Sequence, residues 1–543
     1  MKNILTTIFA SLIAIAGYAQ SANDALMFSE NNYEGTARSV AMGNAFTALG
    51  GDLGGVTINP AGSAVSNYSQ VTITPSLTFA TSTSQGVSPY TDSSLPYFQN
   101  ATNSRISSFR LPNIGVTYNW ETGRKRGLKN ITFGFIANQT NSWNSDVFAK
   151  GVNTTTSFMG ALATNASING YLDSELGAED AYDFMPWKDV VGFQSGMIST
   201  FGGMNDQYVG ASEVIYQDPE TGDYEIALAG PLNQTYGRTT DGTKYEYILN
   251  IGGNISDFIY IGANLGFTSI TYAHDEYFME QAVDPQDFEI ALDDNQTMYF
   301  KQMKYNYSYR ADGSGVFGKF GIIVTPGYGL RLGAAIQTPT VTTMTETWTE
   351  DGETTFSTKN YGAYSPYGSA EYIFTSPMRA NFGVAYTFGS LGVLSVDYEM
   401  IDYNQIRYDT TNADQAYFEE VNQDIKQRFG TSHTLRAGLE VKPLPELALR
   451  AGYVLSTSGE IRDSWNNPIN PLKTQTASLG LGYSSKGSFF LDAAVQTRFL
   501  HDEYYMPYED YIFDEVGNIA EFAPEIRAQR SLWKALITFG WRF

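Results

Sequence analysis

Charged side chains stand at alternate positions in several segments between residues 331 and 498, and the positions between them are mostly apolar. Both signs of charge occur, so these side chains can form ion pairs with one another. Arginine can also bind a carboxylate through its bidentate guanidinium fork. The set comprises Arg331, Arg379, Asp397, Glu399, Arg436, Glu440, Arg450, Asp492 and Arg498. Two interpretations stay open: internal pairing that fixes a filled interior, and a polar path that receives the carboxylate of a solute.

The sequence offers little for catalysis. Its only histidines are His274, His433 and His501, and it contains no cysteine. Ser432 and His433 are neighbours on a predicted strand, where consecutive side chains point to opposite faces. There is no Gly-x-Ser-x-Gly, His-Glu-x-x-His or phosphate-binding loop. We therefore predict a non-enzyme without cofactor or metal, and a membrane lipase is the weaker alternative.

Composition narrows the class of protein further. The 543 residues carry a net charge of -24, which disfavours nucleic acid as a partner because that would need a basic surface. The absence of cysteine excludes disulfides and thiolate chemistry. The contents of tyrosine (37), phenylalanine (33) and glycine (52) are high, as in a sheet protein with aromatic belts.

Apolar and polar residues alternate with a period of two along many segments, which is typical of strands that separate two environments. In one of them, Leu394, Val396, Tyr398 and Met400 alternate with Ser395, Asp397 and Glu399. The pattern predicts fourteen strands, at residues 70–80, 108–120, 128–143, 243–255, 258–273, 300–326, 328–348, 366–389, 391–407, 428–442, 445–457, 474–485, 487–500 and 530–543.

The predicted connections alternate between tight turns and long loops. Tight turns include Ser256-Asp257, Gly327 and Ser390, and long loops span 81–107, 144–242, 274–299, 408–427 and 501–529. This arrangement predicts an all-β, 14-stranded antiparallel transmembrane β-barrel with long extracellular loops and both termini at the periplasmic side. An arginine facing lipid at mid-depth would cost ~2–4 kcal/mol, so the charged set should face the lumen.

Both ends of the chain fit an exported membrane barrel. Residues 1–19 form a predicted signal peptide, with Lys2, an apolar run and small residues before a cleavage site after Ala19. The final residues present Trp533, Ile537, Phe539, Trp541 and Phe543 on one face. This ending resembles the C-terminal strand that the barrel-assembly machinery recognises, so that machinery is an expected partner.

A glycine-rich segment precedes the first strand and cannot form a core of its own. Residues 35–63 read GTARSVAMGNAFTALGGDLGGVTINPAGS. The segment resembles the N-terminal plug of the FadL/TodX-type outer-membrane transporters of hydrophobic compounds, through Gly43, Ala45, Ala48, Gly51, Asp52, Asn59, Pro60, Ala61 and Gly62. Two later stretches, 320–339 and 377–403, resemble mid-barrel hairpins of the same family. We therefore divide the chain into a signal peptide (1–19), a plug (20–68) and a barrel (69–543).

The resemblance implies a function in the outer membrane of a Gram-negative bacterium. It implies passive import of hydrophobic or amphipathic small molecules, such as long-chain fatty acids or aromatic compounds, past a plug-gated site and sideways through the barrel wall. Outer-membrane lipid and lipopolysaccharide are expected partners, and a monomer is expected. The alternative is a FadL-like shuttle of type IX secretion or another surface interaction protein.

The 144–242 insertion is much longer than in the shorter members of that family. It contains a cluster of apolar residues between acidic ones: Phe158, Met159, Leu162, Phe184, Met185, Trp187, Val190, Phe193 and Met197. The cluster is either a small core under the loop or an external groove that captures an apolar solute. The capture groove is the functional hypothesis for these residues.

Overall fold

The computed structural model describes residues 21–87, 98, 100–217, 224–291, 297–409, 415–463, 466–485, 487–513, 519–522 and 525–543. The predicted signal peptide, residues 1–19, lies outside the described residues. The α-helices are α1 (Ala22–Ser29), α2 (Ala37–Ala41), α3 (Phe158–Asn169), α4 (Asp173–Leu176), α5 (Trp187–Gln194) and α6 (Gln415–Arg428). Short 3₁₀ helices cover Gly55–Thr57, Pro60–Val65, Ala181–Asp183, Pro285–Asp287 and Tyr403–Gln405. None of the described helices is long and apolar enough to cross a membrane.

The strands, in chain order, are β1 (Gln70–Val87), β2 (Thr102–Glu121), β3 (Leu128–Ser142), β4 (Ser145–Asn153), β5 (Ile198–Thr200), β6 (Tyr208–Gly210), β7 (Glu213–Gln217), β8 (Tyr224–Leu228), β9 (Leu232–Ile255), β10 (Ile259–Ala282), β11 (Glu289–Ala291), β12 (Thr297–Gly327), β13 (Leu330–Gln337), β14 (Thr340–Phe356), β15 (Asn360–Tyr364), β16 (Gly368–Ser376), β17 (Arg379–Thr387), β18 (Gly392–Asp402), β19 (Arg407–Asp409), β20 (Thr431–Leu444), β21 (Leu447–Thr457), β22 (Lys473–Ser484), β23 (Phe489–Phe499), β24 (Glu503–Tyr505), β25 (Asp510–Phe513), β26 (Ile519–Phe522) and β27 (Glu525–Arg542).

Fourteen antiparallel strands close into one barrel, which confirms the predicted fold class. Some wall strands consist of two consecutive segments, namely β3 with β4, β13 with β14, β16 with β17, β18 with β19 and β23 with β24. Pro339 and Pro377 stand at two of these interruptions, because proline has no N–H for the ladder. The barrel closes at a seam where β1 pairs with β27, with Ile73 opposite Phe539.

The wall strands present apolar side chains outward. Leu394, Val396, Tyr398 and Met400 on β18 are 36–42% exposed, whereas Ser395, Asp397 and Glu399 between them are buried inside. The C-terminal aromatic face on β27 is exposed in the same way. An outward apolar band on a closed barrel is the surface that lipid covers, so the wall is that of an outer-membrane barrel.

Short turns and long connections lie at opposite ends of the barrel, as predicted. The wall strands nevertheless extend further than the sequence indicated at the long-loop end, since β4 continues β3 and β9 already begins at Leu232. The predicted 144–242 insertion therefore contains wall strand at both of its ends. The alternation of apolar and polar residues fades in these extensions, as is expected where a strand no longer needs an apolar outer face.

Accessibility on intact cells tests the sidedness of the two ends. An epitope inserted at Gly203, in the long insertion, should be bound by antibody on intact cells. The same epitope at Gly123, in the turn after β2, should be bound only after the cells are permeabilised. Both glycines are exposed, have positive φ angles and have free space around them, so either site should tolerate an insertion. The reverse pattern would contradict the predicted topology.

Candidate functional site

The N-terminal segment fills the lumen of the barrel. Almost every residue from Tyr33 to Ala64 is buried. Its short helices contact β3, β9, β10 and β12 in one part of the wall and β21, β22, β23 and β27 in another. Asp52 accepts hydrogen bonds from Thr36 Oγ1 at 2.7 Å and from the backbone N–H of Gly54 at 2.9 Å, which folds the segment onto itself. Next to the closing seam, the N–H of Ala37 donates to Thr538 Oγ1 at 2.7 Å. The segment therefore has the position of a plug.

The predicted plug residues hold tight turns within this segment. Gly43 and Gly51 have φ angles of 61° and 71°, which residues with a β-carbon rarely adopt. Asn59 donates through Nδ2 to the carbonyl of Thr47 at 2.6 Å and to that of Ile322, on the wall, at 3.2 Å. Pro60, Ala61 and Gly62 follow in the 3₁₀ turn Pro60–Val65, which packs against β9, β10 and β12.

The barrel wall has glycines at the positions where the plug packs against it. A β-carbon at Gly262 would collide with the backbone of Pro60 and Ala61, and one at Gly333 would collide with the backbone of Thr47. We call this set the glycine seat: Gly252, Gly262, Gly321, Gly333, Gly383, Gly438, Gly452 and Gly480. From the sequence, only the glycines of the plug were predicted to have a structural role. Glycine at inward positions of otherwise regular strands was the signal that could have indicated the seat, because it marks a close approach of another backbone.

The predicted charged set faces inward, and most of it pairs internally. Glu440 accepts from Arg38 of the plug at 2.9 Å and from Arg450 at 2.6 Å, and Arg450 also reaches Asp492 at 2.5 Å. On the other side of the plug, Glu399 forms ion pairs with Arg436 and, at 3.8 Å, with Arg379.

Of the remaining members of the set, two form hydrogen bonds with the plug and one lines a cavity. Asp397 accepts from the N–H of Thr47 at 2.7 Å, and Arg331 donates to the carbonyl of Ala48 at 3.1 Å. Arg498 lines a cavity and has no hydrogen bond or ion pair to any residue the structure describes. Internal pairing therefore accounts for the geometry of all members except Arg498.

Further charged residues, not predicted from the sequence, contact the plug. Lys244 donates to the carbonyl of Phe28 at 2.8 Å, at the C-terminal end of α1, where the helix dipole favours a cation. Lys319 donates to the carbonyl of Thr57 at 2.6 Å, and Lys534 forms an ion pair with Glu34. Lys244 and Glu246 alternate with Tyr245 and Tyr247, so the same period-two pattern could have indicated them.

The plug separates two cavities in the lumen. The long-loop cavity has a volume of about 810 Å³ and the short-turn cavity about 360 Å³. Arg38, Asp52 and Glu440 line the short-turn cavity. One side of the long-loop cavity is apolar and aromatic, formed by Leu26, Met27, Trp143, Tyr272, Tyr307 and Tyr309. Its opposite side is rich in hydroxyl and amide groups, from Thr434, Ser456, Thr474, Thr476 and Gln496.

The wall next to the long-loop cavity has a break in its strand pairing. The ladder between β2 and β3 ends at Asn113 opposite Asn138, although β1 stays paired with β2 as far as Thr102. We call the unpaired stretch beyond Asn113 the wall gap. The β3 residues there turn to the plug instead: the carbonyls of Gln139 and Thr140 accept from the N–H groups of Glu34 and Asn32 at 2.9 and 2.6 Å.

Side chains span the wall gap from β9 to β2. Arg110 Nη2 lies 2.5 Å from Asp241 Oδ1, and the Tyr245 hydroxyl donates to the carbonyl of Leu111 at 3.3 Å. We call these two contacts the strap. Further along β2, the hydroxyl groups of Thr102 and Ser104 donate to the carbonyls of Phe148 and Asp146 on β4. Side-chain contacts, and no strand ladder, therefore bridge the wall gap.

The apolar cluster of the insertion is largely a closed core over the barrel. Phe158, Met159, Leu162, Val190 and Met197 are fully buried, and Phe158 stacks on Phe278 of β10 with ring centroids 5.5 Å apart. Met185, Trp187 and Phe193 are half-buried, whereas Phe184 is 75% exposed and stands apart. The five buried side chains offer no surface to a solute in this conformation. Their role in capture stays a prediction that would require this core to open.

A buried carboxyl lies within this loop core. Asp189 is near the start of α5 and is almost fully shielded from solvent. Burial raises the pKa of Asp189 to about 7, although the neighbouring Lys188 acts in the opposite direction. The charge of this carboxyl therefore changes near neutral pH, at the external end of the molecule.

Ser432 and His433, the neighbouring pair considered for catalysis, do not contact each other. Ser432 is buried and donates to the carbonyl of Thr457 at 2.6 Å, whereas His433 points outward and contacts the Tyr398 hydroxyl at 2.7 Å. His274 lines the long-loop cavity, 3.4 Å from Glu276. Within the described ranges, no group of three or more His, Cys, Asp or Glu residues could hold a metal ion.

Solved structures share this architecture. A FadL homologue of Pseudomonas aeruginosa superposes with a TM-score of 0.50 at 12% identity, covering 94% of this chain and 98% of the homologue. The fold is that of a FadL homologue. The toluene transporter TodX of P. putida aligns with a TM-score of 0.47 at 11% identity, over 94% and 98% of the two chains.

Sequence comparison adds nothing to this FadL-type fold. No protein-family model matches the chain, and no curated protein matches it. At such low identity the likeness concerns the fold alone. It confirms the resemblance inferred from residues 35–63 at the level of architecture, with a segment of the N-terminus inside a barrel of fourteen strands.

Proposed function

We propose that the protein is a passive outer-membrane channel for hydrophobic or amphipathic small molecules. A solute would reach the long-loop cavity from the external end and leave sideways through the wall gap into the membrane. The observation that carries this proposal is that the cavity extends to the wall gap, since residues 141–145 of the interrupted third wall strand line it.

The filled lumen supports a sideways route. The plug is fixed to the wall by buried ion pairs and by the glycine seat, so straight passage would require many contacts to break at once. The transporters that residues 35–63 resemble import hydrophobic compounds, which agrees with a half-apolar cavity. The alternative of a secretion shuttle draws no support from the described residues.

The apolar side of the cavity can supply enough affinity for a transient site. Apolar contact yields ~25 cal/mol per Å², so ~200 Å² of contact gives ~5 kcal/mol before ordering costs. Affinity of this order favours binding followed by release, as a passive channel requires. The aromatic side chains Trp143, Tyr272 and Tyr309 and the α1 residues Leu26 and Met27 would make these contacts.

Cross-linking the strap tests the route. The chain has no cysteine, so Arg110→Cys with Asp241→Cys introduces a unique pair that a short bismaleimide can join. Uptake of a labelled long-chain fatty acid by cells should fall, after cross-linking, to the level of cells without the protein. The physical reason is that the cross-link holds β2 and β9 together across the wall gap.

A second pair of cysteines controls for effects of the cross-linking reaction itself. Thr81 and Arg105 face each other across the intact ladder of β1 and β2, so cross-linking cysteines at these positions should leave uptake unchanged. Full uptake in the cross-linked strap variant would exclude the sideways route. Equal loss in both pairs would indicate general damage to the barrel wall and would also count against the route.

A further inference from the structure

Most charged groups that line the long-loop cavity are already paired. Arg436 pairs with Glu399, Lys534 with Glu34, and Arg530 with Glu503. Glu460 accepts from Arg428 at 2.7 Å. Arg238 lies 3.6 Å from Glu276, and Asp24 accepts from the Ser21 hydroxyl at 2.6 Å. These groups are neutralised or hydrogen-bonded within the protein and need no ligand.

Two charges in the same cavity lack such a partner. The side chains of Arg498, on β23, and Glu30, directly after α1, make no hydrogen bond and no ion pair within 4.0 Å in the described ranges. Both side chains line the long-loop cavity, and each charge acts electrostatically on the other across more than 4.0 Å.

Other cations near Glu30 do not complete its site. Lys244 and Arg379 also act on Glu30 electrostatically, but both lie behind the end of α1 and donate to backbone carbonyls there. Neither of them lines the cavity. The cavity therefore presents one free guanidinium and one free carboxylate, with the hydroxyl-rich wall on one side and the aromatic wall on the other.

We infer that this cavity is selective for amphiphiles with a zwitterionic head, in which an acidic group binds Arg498 and an ammonium group binds Glu30. The inference rests on the proposed function and specifies its substrate class. Arginine suits a carboxylate or phosphate through its two parallel N–H donors. A purely anionic head would satisfy Arg498 but would bring a like charge next to Glu30, and a purely cationic head would do the same at Arg498.

Three probes of one chain length separate these cases: decanoate, its α-amino derivative and decylammonium. Binding to the purified full-length protein is measured by displacement of a fluorescent fatty acid. The α-amino derivative should bind about tenfold more tightly than decanoate, which corresponds to ~1.4 kcal/mol for the second charge contact. Glu30→Gln should abolish this preference, and Arg498→Gln should shift the preference towards decylammonium. Glu121→Gln, at the exposed end of β2, is the control and should bind like the wild type.

The outcomes distinguish this inference from the proposed function. Equal binding of decanoate and its α-amino derivative, unchanged by Glu30→Gln, would overturn the zwitterion selectivity and leave the channel proposal intact. If decanoate binds the wild type more tightly than its α-amino derivative, the site is an anion site and the inference is wrong. If none of the three probes binds the wild type, the channel proposal itself fails.

Discussion

The double variant Gly262→Val, Gly333→Val is expected to conduct ions through a barrel that is otherwise closed. Each added side chain would collide with plug backbone, at Pro60 and at Thr47, and backbone in a packed turn cannot rotate away as a side chain can. Overpacking of this kind costs roughly 1–3 kcal/mol per site, and occasionally more. The hydrogen-bonded strand ladders involve neither side chain. The fourteen strands should therefore stay joined in a ring while the plug leaves the glycine seat. Conductance in planar bilayers measures the result.

Gly253→Val is the matched control, because Gly253 follows Gly252 on β9 and a β-carbon there would meet only the wall side chains of Leu128, at 3.3 Å, and Ile261, at 3.7 Å, and no atom of the plug. Its conductance should stay at background. Deletion of residues 21–62 should give the open-pore value against which the double variant is compared. If the double variant folds and shows normal heat-modifiable mobility but its conductance stays at background, the plug stays in place without these two glycines.

The variant Glu399→Ala is expected to lower the free energy of unfolding by about 3–5 kcal/mol. It would leave the guanidinium groups of Arg379 and Arg436 buried without their carboxylate, and it would remove the acceptor of the Tyr33 hydroxyl, 3.3 Å away. Uncompensated buried charge is costly because the surroundings cannot replace water. Urea unfolding of the refolded barrel in detergent, followed by tryptophan fluorescence, gives the value.

An exposed ion pair in the same barrel provides the control. Asp275 and Arg310, on β10 and β12, lie 2.9 Å apart and are about half exposed. Asp275→Ala should therefore change the free energy of unfolding by only ~0–1 kcal/mol. If Glu399→Ala proves no more destabilising than Asp275→Ala, the buried charges are compensated in another way, and the plug does not depend on this network.

The fold could be predicted because a wall that faces lipid on one side requires a simple alternation of residue types in each strand. Side chains such as Leu394 and Val396 must be apolar, and the residues between them must suit the lumen, so the period of two marks each strand. Glycine and the Asn-Pro break in residues 35–63 likewise restricted that segment to a compact insert. The pattern weakened at the long-loop end of the wall, and β4 and the first part of β9, from Leu232 to Gly242, were therefore missed.

The arrangement of the candidate site could not be predicted, because it depends on which strands meet across the lumen. The alternation placed Glu399, Arg436 and Arg498 inside, but it did not distinguish the paired residues from the unpaired one. The wall gap results from a ladder that stops at Asn138, and asparagine there carries no signal for an interrupted pairing. The cluster from Phe158 to Met197 is apolar whether it is a core or a groove, and its burial follows from contacts with distant strands.

The plug also bears on how the barrel is made. It precedes the wall strands in the chain, yet it contacts strands as late as the one that carries Thr538, so it can reach its final place only when nearly the whole chain is present. A folded plug cannot be threaded into a ring that has already closed. Ala37 touches the last strand beside the seam, where β1 meets β27. In the full-length chain, the N-terminal segment must therefore lie inside the barrel before the final pair of strands is joined.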